Sequence, residues 1–162
     1  MLQQQFGRMP DVVKNLIIVN ALVFLATLTL GQNVVYGYGA QYYIQNVNFQ
    51  PYQLVTAMFL HLDFWHLFFN MLVLFFFGGD VERQLGAGRF LILYLVAGFG
   101  ANVLNLTFNY IVAQELVLGL TEQQIAYARG IAGINPDYLN EATLQYARIW
   151  NTRGLGASGA TY

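Results

Sequence analysis

Polar and apolar positions along this chain fall into long blocks, not into fine alternation. No charged residue occurs between Lys14 and Asp63, and none between Arg89 and Glu115. A helix that crosses a bilayer needs about 20 mostly apolar residues. "NLIIVNALVFLATLTLG", "YQLVTAMFLHLDFWHLFFNMLVLFFFGG" and "FLILYLVAGFGANVLNLTFNYIV" meet that requirement, and they predict spans over about 13–31, 52–79 and 89–112. A soluble helical bundle would carry charged stripes at helical spacing, and these segments have none. The first block is too long, and lacks the small-residue cleavage pattern, for a removable secretory leader.

The connections differ from one another. Residues 1–14 form a polar start in which Pro10 and Asp11 are placed to begin a helix. The loop from Gly31 to Gln50 is neutral and rich in Tyr, Gln, Asn and Gly. "GGDVERQLGAGR" is a tight turn between the second and third spans. Arg8 and Lys14 precede the first span, Arg83 and Arg89 lie in that turn, and the first loop has no Lys or Arg. The positive-inside rule then places the N-terminus and the 80–89 turn in the cytoplasm.

Residues 113–153 change character. They hold four of the eight acidic residues and three of the seven basic ones. "TEQQ" from Thr121 has capping-box spacing. "NPDYLNEATLQYARIW" opens with helix-start chemistry. In it Leu139, Ala142, Tyr146, Ile149 and Trp150 recur every three to four residues. This reads as two short amphipathic helices at or near the membrane surface, with a plain soluble hairpin as the alternative.

Composition agrees with the blocks: 57% of residues are hydrophobic, 16% aromatic and 9% charged. A net charge of -1 gives no electrostatic case for nucleic acid. With no cysteine, disulfides and thiolate metal sites are excluded.

The second block carries the chemistry. "HLDFWHLFFNM" (61–71) places both histidines of the chain and Asn70 in a membrane-grade segment. Polar and ionisable groups are costly there, and by default they mark function or a polar cavity. His66 and Asn70 are four apart and share one helix face. His61 precedes His66 by five, a rotation of about 140° on a continuous helix, so it leaves that face. The two histidines make a poor metal pair, and no metal is expected. A neutral imidazole N–H and a carboxamide NH2 are both donors. Held in a dry site, they suit stabilisation of an oxyanion. The plainer alternative is hydrogen bonding to neighbouring helices.

A nucleophile candidate lies in "GLGASGATY". Ser158 stands between Gly156 and Gly159, small residues that allow close backbone approach and a tight helix start. A serine at a helix start also offers its own backbone N–H to an anion. Without other motifs the stretch reads as a flexible Gly/Ser tail.

Together these segments resemble the rhomboid family of intramembrane serine proteases. "HLDFWHLFFN" matches the family's His-x4-His-x3-Asn, "GGDVERQLGAGRF" its turn with Val-Glu and Gly-x-Gly, and "GLGASGATY" the Gly-x-Ser-Gly that opens the fourth helix. The resemblance implies an all-α polytopic membrane protein: a truncated rhomboid-like bundle of about three complete transmembrane helices plus the start of a fourth near 156–162. It implies Ser158 as nucleophile, with the Ser158 backbone N–H and the His66 and Asn70 side chains as the oxyanion hole. His61 and Glu82 become structural residues, and Gly156 and Gly159 close-packing ones. No cofactor is implied. The partners would be transmembrane protein substrates and the lipid bilayer, in a bacterial cytoplasmic membrane with a cytoplasmic N-terminus.

Three departures stand out. The family often has Trp-Arg where this chain has Tyr52-Gln53, which removes a charge from that loop. The 113–153 connection is longer than the family's. The family's general base is a histidine on the sixth helix, and this chain has no third histidine. The expectation is therefore about three further spans in the full reading frame, and inactivity of these 162 residues alone. A non-catalytic relative that binds transmembrane clients is the first rival. A transporter or channel fragment is the second, and it needs more polar groups than Asn20, Thr27 and Thr29 in the first span.

Overall fold

A computed structural model of the chain describes residues 9–130, 133, 136–151, 153–155 and 160–161. Three of its helices are long and apolar enough to cross a membrane: Asp11–Leu30, Phe64–Leu85 and Ala87–Leu118. Their outward leucines and phenylalanines, such as Leu22, Leu28, Phe77 and Leu104, are exposed. Lipid tails solvate such side chains as well as a protein interior does.

The first span, α1 (Asp11–Leu30), starts behind Pro10, whose φ of -57° is already helical. The first N–H groups of a helix have no partner within it. Here the N–H groups of Val12 and Val13 donate to the two carboxylate oxygens of Glu82, at 3.1 and 2.8 Å. Glu82 is buried near the C-terminal end of the second span. That bond ties the start of α1 to the end of the second span, so both lie on one side of the bundle. The polar residues of α1 turn inward on their own helix: Asn20, Thr27 and Thr29 donate to carbonyls three or four residues back.

Replacing Glu82 by alanine is expected to destabilise the protein by about 1–3 kcal/mol, since one buried and one part-buried donor lose a charged acceptor. Thermal unfolding in detergent measures this, and an unchanged Tm would contradict the role.

After α1 come α2 (Gln32–Gly39) and a loop to α3 (Gln53–Thr56), which runs into a 3-10 turn at Ala57–Phe59. The chain is extended at Leu60 and again at Asp63. The Asp63 carboxylate then caps a new helix, accepting from His66 N–H at 2.8 Å. So the apolar block expected over 52–79 is divided, and the second span begins at Phe64. It comprises α4 (Phe64–Val73), a π-helical stretch at Leu74–Gly78 and α5 (Gly79–Leu85). The stretch coincides with a close approach of α1. A Cβ on Gly78 would stand 3.1 Å from Val13 Cγ2 and 2.9 Å from Leu74 Cδ1. Gly86, with φ of 82°, turns the chain into the third span at no steric cost.

The third span, α6 (Ala87–Leu118), has 32 residues. At 1.5 Å each it is about 48 Å long, against a hydrocarbon core of about 30 Å. Its length exceeds that core, and its last turns carry contacts to other segments. There Ala113, Leu116 and Val117 pack with Tyr43 of the first loop and with the insertion. The insertion holds α7 (Glu122–Ala128), opened by a capping box between Thr121 and Gln124, and α8 (Glu141–Asn151). Asn140 accepts from Thr143 N–H at 2.8 Å, so α8 starts there and not at Asn135-Pro136. The apolar stripe of α8 faces inward: Tyr146 is fully buried, and Ile149 and Trp150 pack beside it. The Arg129 guanidinium lies 4.3 Å from the Trp150 ring centroid and donates to the Tyr146 hydroxyl.

Beyond α8, Gly154–Leu155 (β1) pairs antiparallel with Ala160–Thr161 (β2). The helix start expected over 156–162 falls mostly outside the described residues, and its two described members are extended.

Candidate functional site

The site is built where α4 meets the turn before it. His66 and Asn70 lie one turn apart on α4, and both are half-buried. Their face is the one the spacing predicts. The surroundings of His66 fix more than its position. Its backbone N–H is held by Asp63. Its ring Nδ1 accepts from Leu62 N–H at a long 3.4 Å. An accepting Nδ1 assigns the proton of the neutral ring to Nε2. Nε2–H is then the edge of His66 that can donate.

His61 sits differently from its place on a continuous helix. Because the helix starts at Phe64, His61 belongs to the preceding turn. Its ring meets the His66 ring edge-on, with centroids 5.0 Å apart. His61 is 3% exposed, and its Nδ1 lies 3.3 Å from the Phe59 carbonyl oxygen. The backbone of the same turn is held from α2: the Tyr36 hydroxyl donates to the His61 carbonyl at 2.7 Å, with a longer contact of 3.4 Å to that of Leu62. Burial first, and the Asp63 carboxylate second, push the Tyr36 hydroxyl above its usual pKa, so it stays a donor.

The first loop is anchored without the charge that Tyr52-Gln53 removes. Gln53 is 1% exposed. Its carbonyl oxygen accepts from Gln50 N–H at 3.0 Å and from Tyr42 N–H at 3.4 Å. Its amide donates to the carbonyls of Asn48 at 3.1 Å and Tyr38 at 3.4 Å. A neutral side chain with both ends occupied can be buried cheaply. Gln41, in the same loop, exchanges backbone hydrogen bonds with Gly154 at 3.0 and 2.8 Å. The Gln41 amide reaches the carbonyl of Asn102 in α6 at 3.0 Å, and Asn102 donates in turn to Leu54 at 2.8 Å. The segment that leads to Ser158 is therefore tied to the first loop and to the third span. Ser158, Gly156 and Gly159 themselves lie outside the described residues.

The structure thus brings His61, His66 and Asn70 to one corner. Glu82 lies at the opposite end of the second span, with the start of α1. Asp63, Tyr36, Gln41 and Asn102 are the residues that sequence reasoning passed over. Asp-x-x-His before an apolar run was a readable cap signal for Asp63. The other three depend on long-range contacts that no local pattern announces.

Three apolar spans with an imidazole and a carboxamide on one intramembrane face define a polytopic helical membrane protein. Residues 48–162 match the Rhomboid domain, and the chain belongs to the rhomboid family. It is 31% identical over 153 residues to RHOMBOID-like protein 12, mitochondrial, of Arabidopsis thaliana, covering 93% of this chain and 38% of that protein. It is 31% identical over 106 residues to Putative rhomboid protease YdcA of Bacillus subtilis (strain 168), covering 62% of this chain and 51% of that one. Rhomboid protease GluP of the same organism is 41% identical over 58 residues, 36% of this chain and 11% of that protein. The chain spans about half or less of the length of each of these relatives.

Proposed function

We propose that this chain carries the nucleophile and oxyanion hole of an intramembrane serine endopeptidase, which cuts peptide bonds in or near transmembrane segments of other membrane proteins. The observation that carries the reading is the pair His66 and Asn70 on one face of the second span; the contact of Leu62 N–H with His66 Nδ1 favours a proton on Nε2. Two half-buried donors on one helix face suit a developing oxyanion. Relatives named as rhomboid proteases support the chemistry.

In this mechanism the Ser158 hydroxyl oxygen attacks the substrate carbonyl while a base takes its proton. The carbonyl oxygen becomes an oxyanion, held by His66 Nε2–H, the Asn70 amide and the Ser158 backbone N–H. Collapse expels the amine, which takes a proton, and leaves an acyl-enzyme. Water resolves the ester. Ser158→Ala in the full-length protein is expected to abolish cleavage of a transmembrane reporter. Client binding without any Ser158-dependent cleavage would support the non-catalytic reading instead.

The same reading places the protein in a bacterial cytoplasmic membrane with its N-terminus in the cytoplasm. Arg8 and Lys14 precede the first span in sequence, Arg83 and Arg89 lie at the junction of the second and third, and the Glu82 bond holds the start of α1, with Lys14, beside the stretch that carries Arg83. A reporter fused near Gln45 is expected to read as extracytoplasmic and one near Gln84 as cytoplasmic. The reverse pattern would sink the orientation.

A further inference from the structure

We propose that Tyr36 is a positioning residue for the oxyanion hole: through the His61–Leu62 turn it fixes which nitrogen of His66 carries the proton. The proposal rests on the protease reading above, and it adds to that reading a residue from outside the second span.

Three contacts form the chain of action. The Tyr36 hydroxyl donates to the His61 carbonyl at 2.7 Å. That turn presents Leu62 N–H to His66 Nδ1 at 3.4 Å. Asp63, next in sequence, fixes the backbone of His66 at 2.8 Å. The ring of Tyr36 is itself fixed, 6% exposed and clustered with Ala40 and Leu60, with Val23 of α1 and Leu62 packed against them. A rigid hydroxyl therefore holds a turn that has no helix or strand hydrogen bonds of its own at Leu62.

The chemical consequence follows from the two tautomers of imidazole. A neutral ring donates from one nitrogen and accepts at the other, and the partner of one fixes the role of the other. With Leu62 N–H on Nδ1, Nε2 keeps its proton and can donate to an oxyanion. If the turn relaxes, Nδ1–H becomes competitive, and Nε2 then offers a lone pair to a developing negative charge. A wrong tautomer in a hydrolytic site costs rate without disturbing the fold.

The experiment uses the full-length protein in liposomes with a transmembrane reporter. Tyr36→Phe removes one hydroxyl and keeps the ring. It is expected to lower kcat about tenfold with KM little changed, less than the loss expected on deleting a donor outright. The same change made in a His66→Ala background is expected to cost nothing further, because the hydroxyl acts only through that ring. Wild-type activity of Tyr36→Phe would overturn the proposal. So would a loss of equal size in both backgrounds, which is what a purely structural hydroxyl gives. If Tyr36→Phe does not fold, nitrogen-15 histidine spectra of the wild-type protein decide, with His66 assigned by His66→Ala. A proton on Nε2 supports the assignment, and a proton on Nδ1 overturns it. Failure of the protease reading is separate: Ser158→Ala would then leave reporter cleavage intact.

Discussion

Replacing Asn70 or His66 by alanine is expected to lower kcat about 10²–10³-fold, the usual cost of one oxyanion donor. Both side chains are half-buried on α4. The backbone bond that caps the helix uses His66 N–H, which alanine retains. The fold should therefore survive either change, and Tm should move little. KM should also move little, because the donors act where charge develops and not on the substrate's ground state. His61→Ala is expected to behave in the opposite order. Its ring is 3% exposed and fills the corner beside His66, so its loss opens a cavity and lowers Tm. A smaller loss of kcat follows from the loosened neighbour. Reporter cleavage in liposomes, read with thermal unfolding of each variant, separates the two patterns. Equal losses of kcat at unchanged Tm for all three variants would contradict this division of labour.

The spans were readable because a bilayer imposes a length and a composition that few other structures need. The absence of charge between Lys14 and Asp63 was enough to indicate two apolar segments, but not where the second helix begins. The block 52–79 is mostly apolar on both sides of Asp63, and mean hydropathy does not resolve the break within it. Asp63 does: its carboxylate accepts from His66 N–H and starts α4 at Phe64, after α3 and its 3-10 turn have already ended. That one residue also changes the histidine geometry. On a continuous helix His61 and His66 would diverge, whereas across the capped turn their rings meet at 5.0 Å.

The insertion illustrates a different limit. Periodicity gave the apolar stripe of α8 but not its partner. Headgroups and the third span were both open to Tyr146, Ile149 and Trp150. The structure packs them with Ala113, Leu116 and Val117 at the end of α6, a long-range contact that periodicity alone does not announce. The loop anchors Gln41, Gln53 and Asn102 were unreadable for a related reason. A neutral amide in a sequence looks like a surface residue, and only the carbonyls brought to it from other segments make it a buried one. Motif spacing, by contrast, was enough to single out His66 and Asn70, because four residues on a helix is a geometric statement in itself.

The 162 residues by themselves are expected to leave Ser158 unlabelled by a fluorophosphonate probe. A serine hydroxyl attacks poorly unless a neighbouring base removes its proton, and loss of that base costs on the order of 10⁶ in rate in comparable sites. The sequence supplies two imidazoles, and both have other tasks. His66 accepts at Nδ1 from Leu62 and holds its proton on Nε2, so neither nitrogen is set to receive one. His61 is buried, edge-on to His66, with Nδ1 at the Phe59 carbonyl. No cysteine is present to act in its place. A longer polypeptide that supplies a histidine base is expected, in contrast, to label at Ser158 and to lose labelling in Ser158→Ala. Its rate should rise with pH through about 6.5, the ordinary histidine value, since only the deprotonated ring can accept the proton. Both polypeptides can be run in the same detergent with the same probe, and labelling read on a gel. Strong, Ser158-dependent labelling of the shorter one would show that a base lies among these residues and that His61 or His66 has been given the wrong task.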